Sequence, residues 1–194
     1  MRIAKIERKT LETKVKIELN LDGSGQAHID TGVGFLNHML ELLAKHGFFD
    51  LQVEAQGDLD VDSHHTVEDC GIVLGEAIKV ALGNKEGIHR YGAMTLPMDE
   101  ALIQVVLDLS NRPFLNFAAD VPRQQLGNME SEMVEEFFRA VAVSSGMTLH
   151  IVEHFGKNTH HIVEGMFKAF GRALAEAVAH DARVQGVMSS KGAL

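Results

Sequence analysis

The sequence predicts an α/β (α+β) fold made of two like halves, and three observations predict it. The first is a repeated motif. Asp62-Ser63-His64-His65-Thr66-Val67-Glu68 returns as Asn158-Thr159-His160-His161-Ile162-Val163-Glu164, 96 residues further on in a chain of 194. The second is that the likeness runs beyond the motif. Residues 62–82 and 158–178, aligned without a gap, are identical at seven of 21 positions, against about one expected from average composition. The third is the order of elements, which reads β-β-(β)-α-β-α in each half. Gly83–Gly87 forms the natural junction, giving halves at 1–86 and 87–194. A half of this length is near the small end for a stable core, so the halves are expected to pack together about a pseudo-two-fold.

In chain order, residues 2–9 and 13–20 read as strands. Val15, Ile17 and Leu19 alternate with Lys14, Lys16 and Glu18, the period of a half-buried strand. Asp22-Gly23-Ser24-Gly25 is turn chemistry, and a short strand over 26–30 follows it. Gly32 and Gly34 lead into a helix over 34–46 carrying Phe35, His38, Met39, Leu42 and Leu43. A strand covers 50–55. The helix over 63–82 presents Val67, Cys70, Leu74, Ala77, Ile78 and Ala81 as one apolar stripe. The second half places strands near 91–98, 101–109 and 113–119. A helix over 130–145 carries Met133, Val134, Phe137, Phe138 and Val141, followed by a strand at 147–153 and a helix from the second motif to about 180.

Composition narrows the function. Apolar content of 45% and charged content of 23% are those of a globular protein, and the net charge of −9 argues against a nucleic-acid groove. An anionic substrate then needs locally clustered Arg and Lys. The single cysteine, Cys70, forms no internal disulfide and fits a reducing, cytoplasmic compartment. Met1-Arg2-Ile3-Ala4-Lys5 lacks the apolar core of a signal peptide. No apolar run approaches the ~18 residues that a membrane span requires.

The chemistry of His-His-x-x-Glu is geometric. Residues three and four apart on a helix share a face, so Glu68 can lie near His65 or His64. Adjacent histidines diverge by about 100°, so each suits a different ion. Two copies imply two metal sites, each drawing on both copies. Imidazole with carboxylate suits Mn, Fe, Zn or Ni. A single copy would read as a cap or a surface network; two copies in register favour ligands. The tail Ser189-Ser190-Lys191-Gly192 reads either as a frayed terminus or as a flexible anion-binding lid.

Several ordered segments together resemble one family. They are Arg8-Lys9-Thr10-Leu11-Glu12-Thr13, Gly32-Val33-Gly34-Phe35-Leu36-Asn37-His38-Met39-Leu40, both histidine motifs, Met98-Asp99-Glu100, Arg112-Pro113, Phe167-Lys168-Ala169-Phe170 and the Ser-Ser-Lys-Gly tail. The family is imidazoleglycerol-phosphate dehydratase, of histidine biosynthesis. The resemblance implies two sheets enclosing a helical layer, a hollow 24-subunit assembly, and two Mn²⁺ per active site with ligands shared between subunits. Carried over by position, the metal ligands are His38, His64, His65, Glu68, His160, His161 and Glu164. An eighth family ligand, often a His in the second-half helix, reads Glu136 here. By the same carry-over Arg90, Arg112, Lys168, Ser190 and Lys191 hold the substrate phosphate. A family Gln four residues after His38 is Leu42. His28, His46, His89, His154 and His180 have no partner at the repeat spacing, and His150 alternates in a strand.

The implied reaction dehydrates imidazoleglycerol phosphate to imidazole-acetol phosphate. The proton to be lost is not next to a carbonyl, so the substrate ring must supply the electrons. Two metals binding both ring nitrogens favour its imidazolate form. Family position makes Glu12 the candidate acid/base, also touching substrate, with Asp99 second; Glu68 and Glu164 count as catalytic through the metals. The motifs taken alone leave two rivals, a dinuclear metallohydrolase acting on a phosphate ester and a metal-storage cage. The Arg and Lys set argues against the cage.

Overall fold

The computed structural model describes residues 1–194. The first unit comprises β1 (Ile3–Lys9), β2 (Thr13–Asn20), β3 (Ala27–Asp30), α1 (Gly34–Gly47), β4 (Asp50–Gly57) and α2 (His64–Leu82). The second comprises β5 (Tyr91–Met98), β6 (Ala101–Asp108), β7 (Phe114–Ala118), β8 (Gln125–Leu126), β9 (Met129–Glu130), α3 (Met133–Ser145), β10 (Thr148–Phe155) and α4 (Thr159–Val178). The sheet orders are β1-β2-β4-β3 and β5-β6-β10-β7, the same topology twice. In each sheet the first three strands run antiparallel, and the short edge strand pairs parallel to its neighbour.

Alternation builds the sheets. Val15, Ile17 and Leu19 of β2 and Ile103, Val105 and Leu107 of β6 are buried beneath the helices. Lys14, Lys16 and Gln104 face outward. All four helices lie between the two sheets. Helices α1 and α2 pack on the first sheet, α3 and α4 on the second, and the layers join through α2 against α3 and α1 against α4. One continuous core results, including Phe49, Phe137, Phe138, Phe167 and Phe170. No helix is long and apolar enough to cross a membrane.

The helix crossings depend on glycine. A Cβ on Gly75 of α2 would stand 2.7 Å from the Val141 carbonyl and 3.0 Å from the Ser145 amide of α3. A Cβ on Gly171 of α4 would stand 2.6 Å from the Leu43 carbonyl and 3.2 Å from the Gly47 amide of α1. Gly75 and Gly171 are the glycine matched in the repeat. Their opposing residues also correspond, Leu43 to Val141 and Gly47 to Ser145, so both crossings have one register.

The structure corrects the sequence reading in three places. Helix α3 begins at Met133 rather than 130, because Gln125–Leu126 and Met129–Glu130 form a hairpin with no counterpart in the first unit. Gly127-Asn128 was its turn signal, with Gly127 at a positive φ of 65°. Helix α4 ends at Val178 rather than about 180, because Ala179 turns extended and His180 pairs with Ile88 in an isolated bridge. Strand β10 extends to Phe155, with a bulge between Glu153 and Phe155. The hairpin binds across the repeat. Asn128 donates to the Gly32 carbonyl at 2.8 Å and accepts from the Gly34 amide at 3.1 Å, while Glu130 accepts from the Ser63 hydroxyl at 2.5 Å.

The glycine crossings yield a stability prediction. Gly171→Ala forces a side chain into backbone, and overpacking of this kind costs roughly 1–3 kcal/mol. Gly34→Ala has open space, with nothing within 4 Å of its Cβ. The denaturant midpoint should fall for Gly171→Ala and hold for Gly34→Ala. Equal midpoints would mean that the α1–α4 crossing has room to spare.

Candidate metal centre

The two histidine motifs open α2 and α4 in the same way. The side chain of Asp62 accepts from the His64 amide at 2.8 Å, and that of Asn158 accepts from the His160 amide at 2.9 Å. These bonds satisfy N-terminal donors of each helix and fix where the first imidazole leaves the backbone. Its partner is the glutamate one turn on: His64 Nε2 to Glu68 at 3.7 Å, and His160 Nε2 to Glu164 Oε2 at 3.0 Å. The glutamate therefore pairs with the first histidine, four residues away, and not with the second.

The α1–α4 crossing brings a third donor. His38 Nε2 lies 3.7 Å from Glu164 Oε2, and His38, His160 and Glu164 have ligand atoms mutually within 4.8 Å. This is the chain's one cluster of three such donors. Two imidazoles and a carboxylate are a competent set for a borderline divalent ion, so the residues fit a metal. Glu164 is largely buried, with 10% of its side chain exposed, and Lys168 bonds its other oxygen at 2.5 Å. Burial alone would raise the Glu164 pKa, but the Lys168 ammonium and His160 outweigh it and hold the carboxyl below its usual value.

The second histidine of each pair turns elsewhere. His65 Nδ1 lies 3.0 and 3.2 Å from the two Asp58 oxygens, and His161 Nδ1 lies 2.7 Å from Glu100 Oε2. The Nε2 atoms point toward other carboxylates, His65 to Glu12 at 3.9 Å and His161 to Asp99 at 3.8 Å. Glu12 and Asp99 occupy the β1–β2 and β5–β6 turns. The Thr10 hydroxyl accepts from the Glu12 and Thr13 amides at 3.1 and 2.9 Å and shapes the first turn. Nearby, Asp69 of α2 accepts from Arg8 at 2.9 Å and from the Thr13 hydroxyl, tying α2 to β1 and β2. Asp58 raises the His65 pKa and Glu100 raises that of His161. The Glu100 carboxyl falls to about 2, held first by His161 and then by the Asn158 amide. No hydrogen bond or ion pair joins the two histidine motifs within the chain.

The equivalent of His38 is set by the crossing register. Leu43 corresponds to Val141 and Gly47 to Ser145, and the same offset takes His38 to Glu136. Glu136 lines a cleft of about 410 Å³ with His64, Asp120, Arg123 and Glu132. Its ion-pair partner within the chain is Arg139, at 3.5 Å. His150 lies on the outer face of the second sheet beside the Phe114 ring, centroids 6.0 Å apart. The residue at the family Gln position, Leu42, is partly buried against the core.

The cations divide into two places. Lys168 stands at Glu164, whereas Arg90 and Arg112 meet at Asp108. Arg90 donates to Asp108 at 2.7 and 3.0 Å and to the Met188 carbonyl at 2.6 Å. All three of its nitrogens are engaged. Arg112 reaches Asp108 at 3.4 Å and leaves 67% of its side chain exposed, making it the freer cation. Ser190 lines an open cleft with Arg90 and Arg183, and Lys191 is exposed in the tail. Sequence reading passed over Asp58 and Glu100. Glu100 stood in the quoted Met98-Asp99-Glu100, but nothing local pairs it with His161, 61 residues away.

A family model described as imidazoleglycerol-phosphate dehydratase matches residues 31–174. The chain belongs to the imidazoleglycerol-phosphate dehydratase family. The dehydratase of Acetivibrio thermocellus is 61% identical over 189 residues, 97% of each chain. That of Clostridium acetobutylicum is 58% identical over 193 residues, covering all of this chain and 98% of its own. Among solved dehydratases, that of Staphylococcus aureus superposes with a TM-score of 0.84 at 44% identity, over 92% of this chain and 99% of its own. The Pyrococcus furiosus protein, in complex with (S)-C348, gives 0.84 at 34% identity, over 97% and 100%. The duplicated α/β architecture read from the sequence is the fold of these dehydratases.

The Glu100 bonds carry a pH dependence. Its pKa in the fold, about 2, lies below the ordinary 4.5. Its contribution is therefore complete above 4.5 and is lost as the pH falls toward 2. A carboxyl-carbon NMR titration of metal-free protein should find Glu100 still ionised at about pH 4, within the usual carboxylate range. His161→Ala should move the midpoint part-way back. An ordinary midpoint in both proteins would mean that neither bond persists in solution.

Proposed function

We propose that this chain, a hydro-lyase by family, removes water from imidazoleglycerol phosphate to give imidazole-acetol phosphate using two Mn²⁺ ions per active site. The observation that carries the metal reading is the His38–His160–Glu164 cluster, a chelating donor set around a buried carboxylate. In this reading the ligands are those three residues with His64, His65, Glu68, His161 and Glu136. Bound divalent ions supply Lewis acidity, which makes a coordinated ring N–H more acidic.

The chain's own residues supply the rest. The hydroxyl must leave as water and a carbon-bound proton must be taken, so one group has to give and accept protons beside the ring. Glu12 is the first candidate, an exposed carboxylate 3.9 Å from His65 Nε2, and Asp99 stands likewise 3.8 Å from His161 Nε2. Arg112, with the tail residues Ser190 and Lys191, provides charge and donors for the phosphate. Arg90 holds Asp108 and the Met188 carbonyl, positioning the tail. Lys168 offsets the Glu164 charge and adds positive potential to a chain of net charge −9.

The two motifs do not meet within one chain, so a site with two ions takes ligands from neighbouring subunits. This supports assembly of the kind the family implies, a hollow 24-mer. The reading takes residues 1–86 and 87–194 as the two halves and the cytoplasm as the compartment.

Turnover of metal-loaded protein on imidazoleglycerol phosphate tests the reaction, with inorganic phosphate assayed alongside. Dehydration without phosphate release is expected; phosphate release would make the chain a hydrolase. Glu12→Gln should lose about 10²–10⁴-fold in turnover, the usual worth of general acid–base help, with normal metal content. Near-normal turnover would remove Glu12 from the role.

A second prediction concerns Glu136. Glu136→Ala should lower affinity for one of two ions in a metal titration. Glu135→Ala should leave both, because adjacent helical residues point about 100° apart. Full occupancy in Glu136→Ala would show that the equivalence with His38 does not extend to ligation.

A further inference from the structure

The second histidine of each pair has a feature that the repeat does not explain. His65 and His161 correspond in the duplication, and each Nδ1 meets a carboxylate, but the two carboxylates do not correspond. Asp58 lies between β4 and α2, seven residues before its histidine. Glu100 lies in the β5–β6 turn, 61 residues before its own. Different elements thus deliver the same bond to the same ring atom. Duplication alone would copy the partner with the ring. A bond made twice from unrelated positions marks a requirement at the histidine itself.

We propose that Asp58 and Glu100 are positioning residues that set the ring tautomer of His65 and His161, so that Nδ1 carries the proton and Nε2 presents its lone pair to a metal. The inference rests on the reading of these histidines as ligands. An imidazole binds a metal through an unprotonated nitrogen, and a carboxylate at the other nitrogen fixes the proton there. A neutral imidazole has one donor and one acceptor nitrogen. An ionised carboxylate only accepts, so the nitrogen facing it must donate. The first histidines, His64 and His160, differ: no carboxylate stands at their Nδ1 atoms, and their Nε2 atoms face Glu68 and Glu164.

The two carboxylates differ in what else they hold, and this gives the proposal a sharp test. Glu100 Oε1 accepts from the Asn158 amide at 2.7 Å and the Lys157 amide at 3.2 Å, while Oε2 faces His161. In Glu100→Gln the amide oxygen must stay on those two N–H donors. Its NH₂ then faces His161 Nδ1 and donates to it. That forces Nδ1 to accept, moves the ring proton to Nε2 and blocks the ligand nitrogen. Asp58 has no hydrogen-bond partner for its side chain besides His65. In Asp58→Asn the amide can turn its oxygen to Nδ1–H and keep the tautomer.

Long-range ¹H–¹⁵N correlation of ¹⁵N-histidine-labelled, metal-stripped protein reads the tautomer directly, at a pH where both rings are neutral. Magic-angle spinning serves if the stripped protein remains a large particle, and His65→Ala and His161→Ala assign the signals. In the unaltered protein both rings should be protonated at Nδ1. Glu100→Gln should reverse His161 and lower Mn²⁺ affinity about 10–100-fold, the usual loss for such a partner. Asp58→Asn should preserve the His65 tautomer and change affinity far less. Circular dichroism checks that each variant is folded.

An unchanged His161 tautomer in folded Glu100→Gln overturns the proposal, and so does a reversed tautomer with unchanged affinity where His161→Ala loses metal. If His161→Ala itself binds Mn²⁺ normally, it is the ligand reading that fails. A large effect in Asp58→Asn with the His65 tautomer intact would also overturn the proposal, since charge and not proton position would then be acting.

Discussion

Two helices can bring their backbones into contact only where a side chain is missing, and this molecule uses that allowance at both of its interlayer crossings. Gly75 sits against Val141 and Ser145, and Gly171 against Leu43 and Gly47. A crossing this close has little freedom to slide, because any shift drives a Cβ from a neighbouring position into the opposing carbonyl. The register of α1 on α4 then follows, and with it the distance from His38 to Glu164. The candidate metal cluster joins a donor from the first unit to two from the second, so its geometry is inherited from the packing of the halves. The aromatic core of Phe137, Phe138, Phe167 and Phe170 fills the space around the crossings. Alone, it would fix a separation but not a register.

Charge is distributed to match. The chain is acidic overall, and its acids gather where cations or imidazoles can face them. Glu164 is the extreme case, a mostly buried carboxylate that keeps its charge because Lys168, four residues on, bonds it on the same helix face. Removing one partner of such a pair leaves a buried charge uncompensated, which costs far more than an exposed pair contributes. The Lys168–Glu164 contact thus supports both the fold and the donor set. At the opposite extreme, Arg112 is so exposed that its tie to Asp108 restrains it little.

What the sequence disclosed was what repeats locally. Alternation in β2 and β6, the apolar stripes of α2 and α3, and the paired histidines each reside in a window of a few residues. The pairing of His64 with Glu68 was open between two choices, and the helix settled it at four residues. The partners of His65 and His161 were not legible, since Asp58 and Glu100 reach them only after strands and turns have folded. The β8–β9 hairpin was missed for another reason. Two-residue strands show no alternation, and Glu130-Ser131-Glu132 ahead of Met133 carry no pattern that sets the helix start apart from the strand before it. Its Gly-Asn turn was the one local sign. The separation of the motifs within one chain was beyond any local pattern, as it depends on how the halves are turned.

That hairpin also bears on how the molecule is made. Asn128 holds the backbone at Gly32 and Gly34, ahead of the helix bearing His38, and Glu130 holds Ser63, ahead of the helix bearing His64 and His65. Translation delivers the N-terminal half first. While residues 1–86 emerge, both helix starts can form their local bonds, such as the His64 amide to Asp62, but not these, and the clamp arrives only once the ribosome has passed residue 130. The nascent first half therefore waits for these last restraints on its two helix starts until the second half has been made.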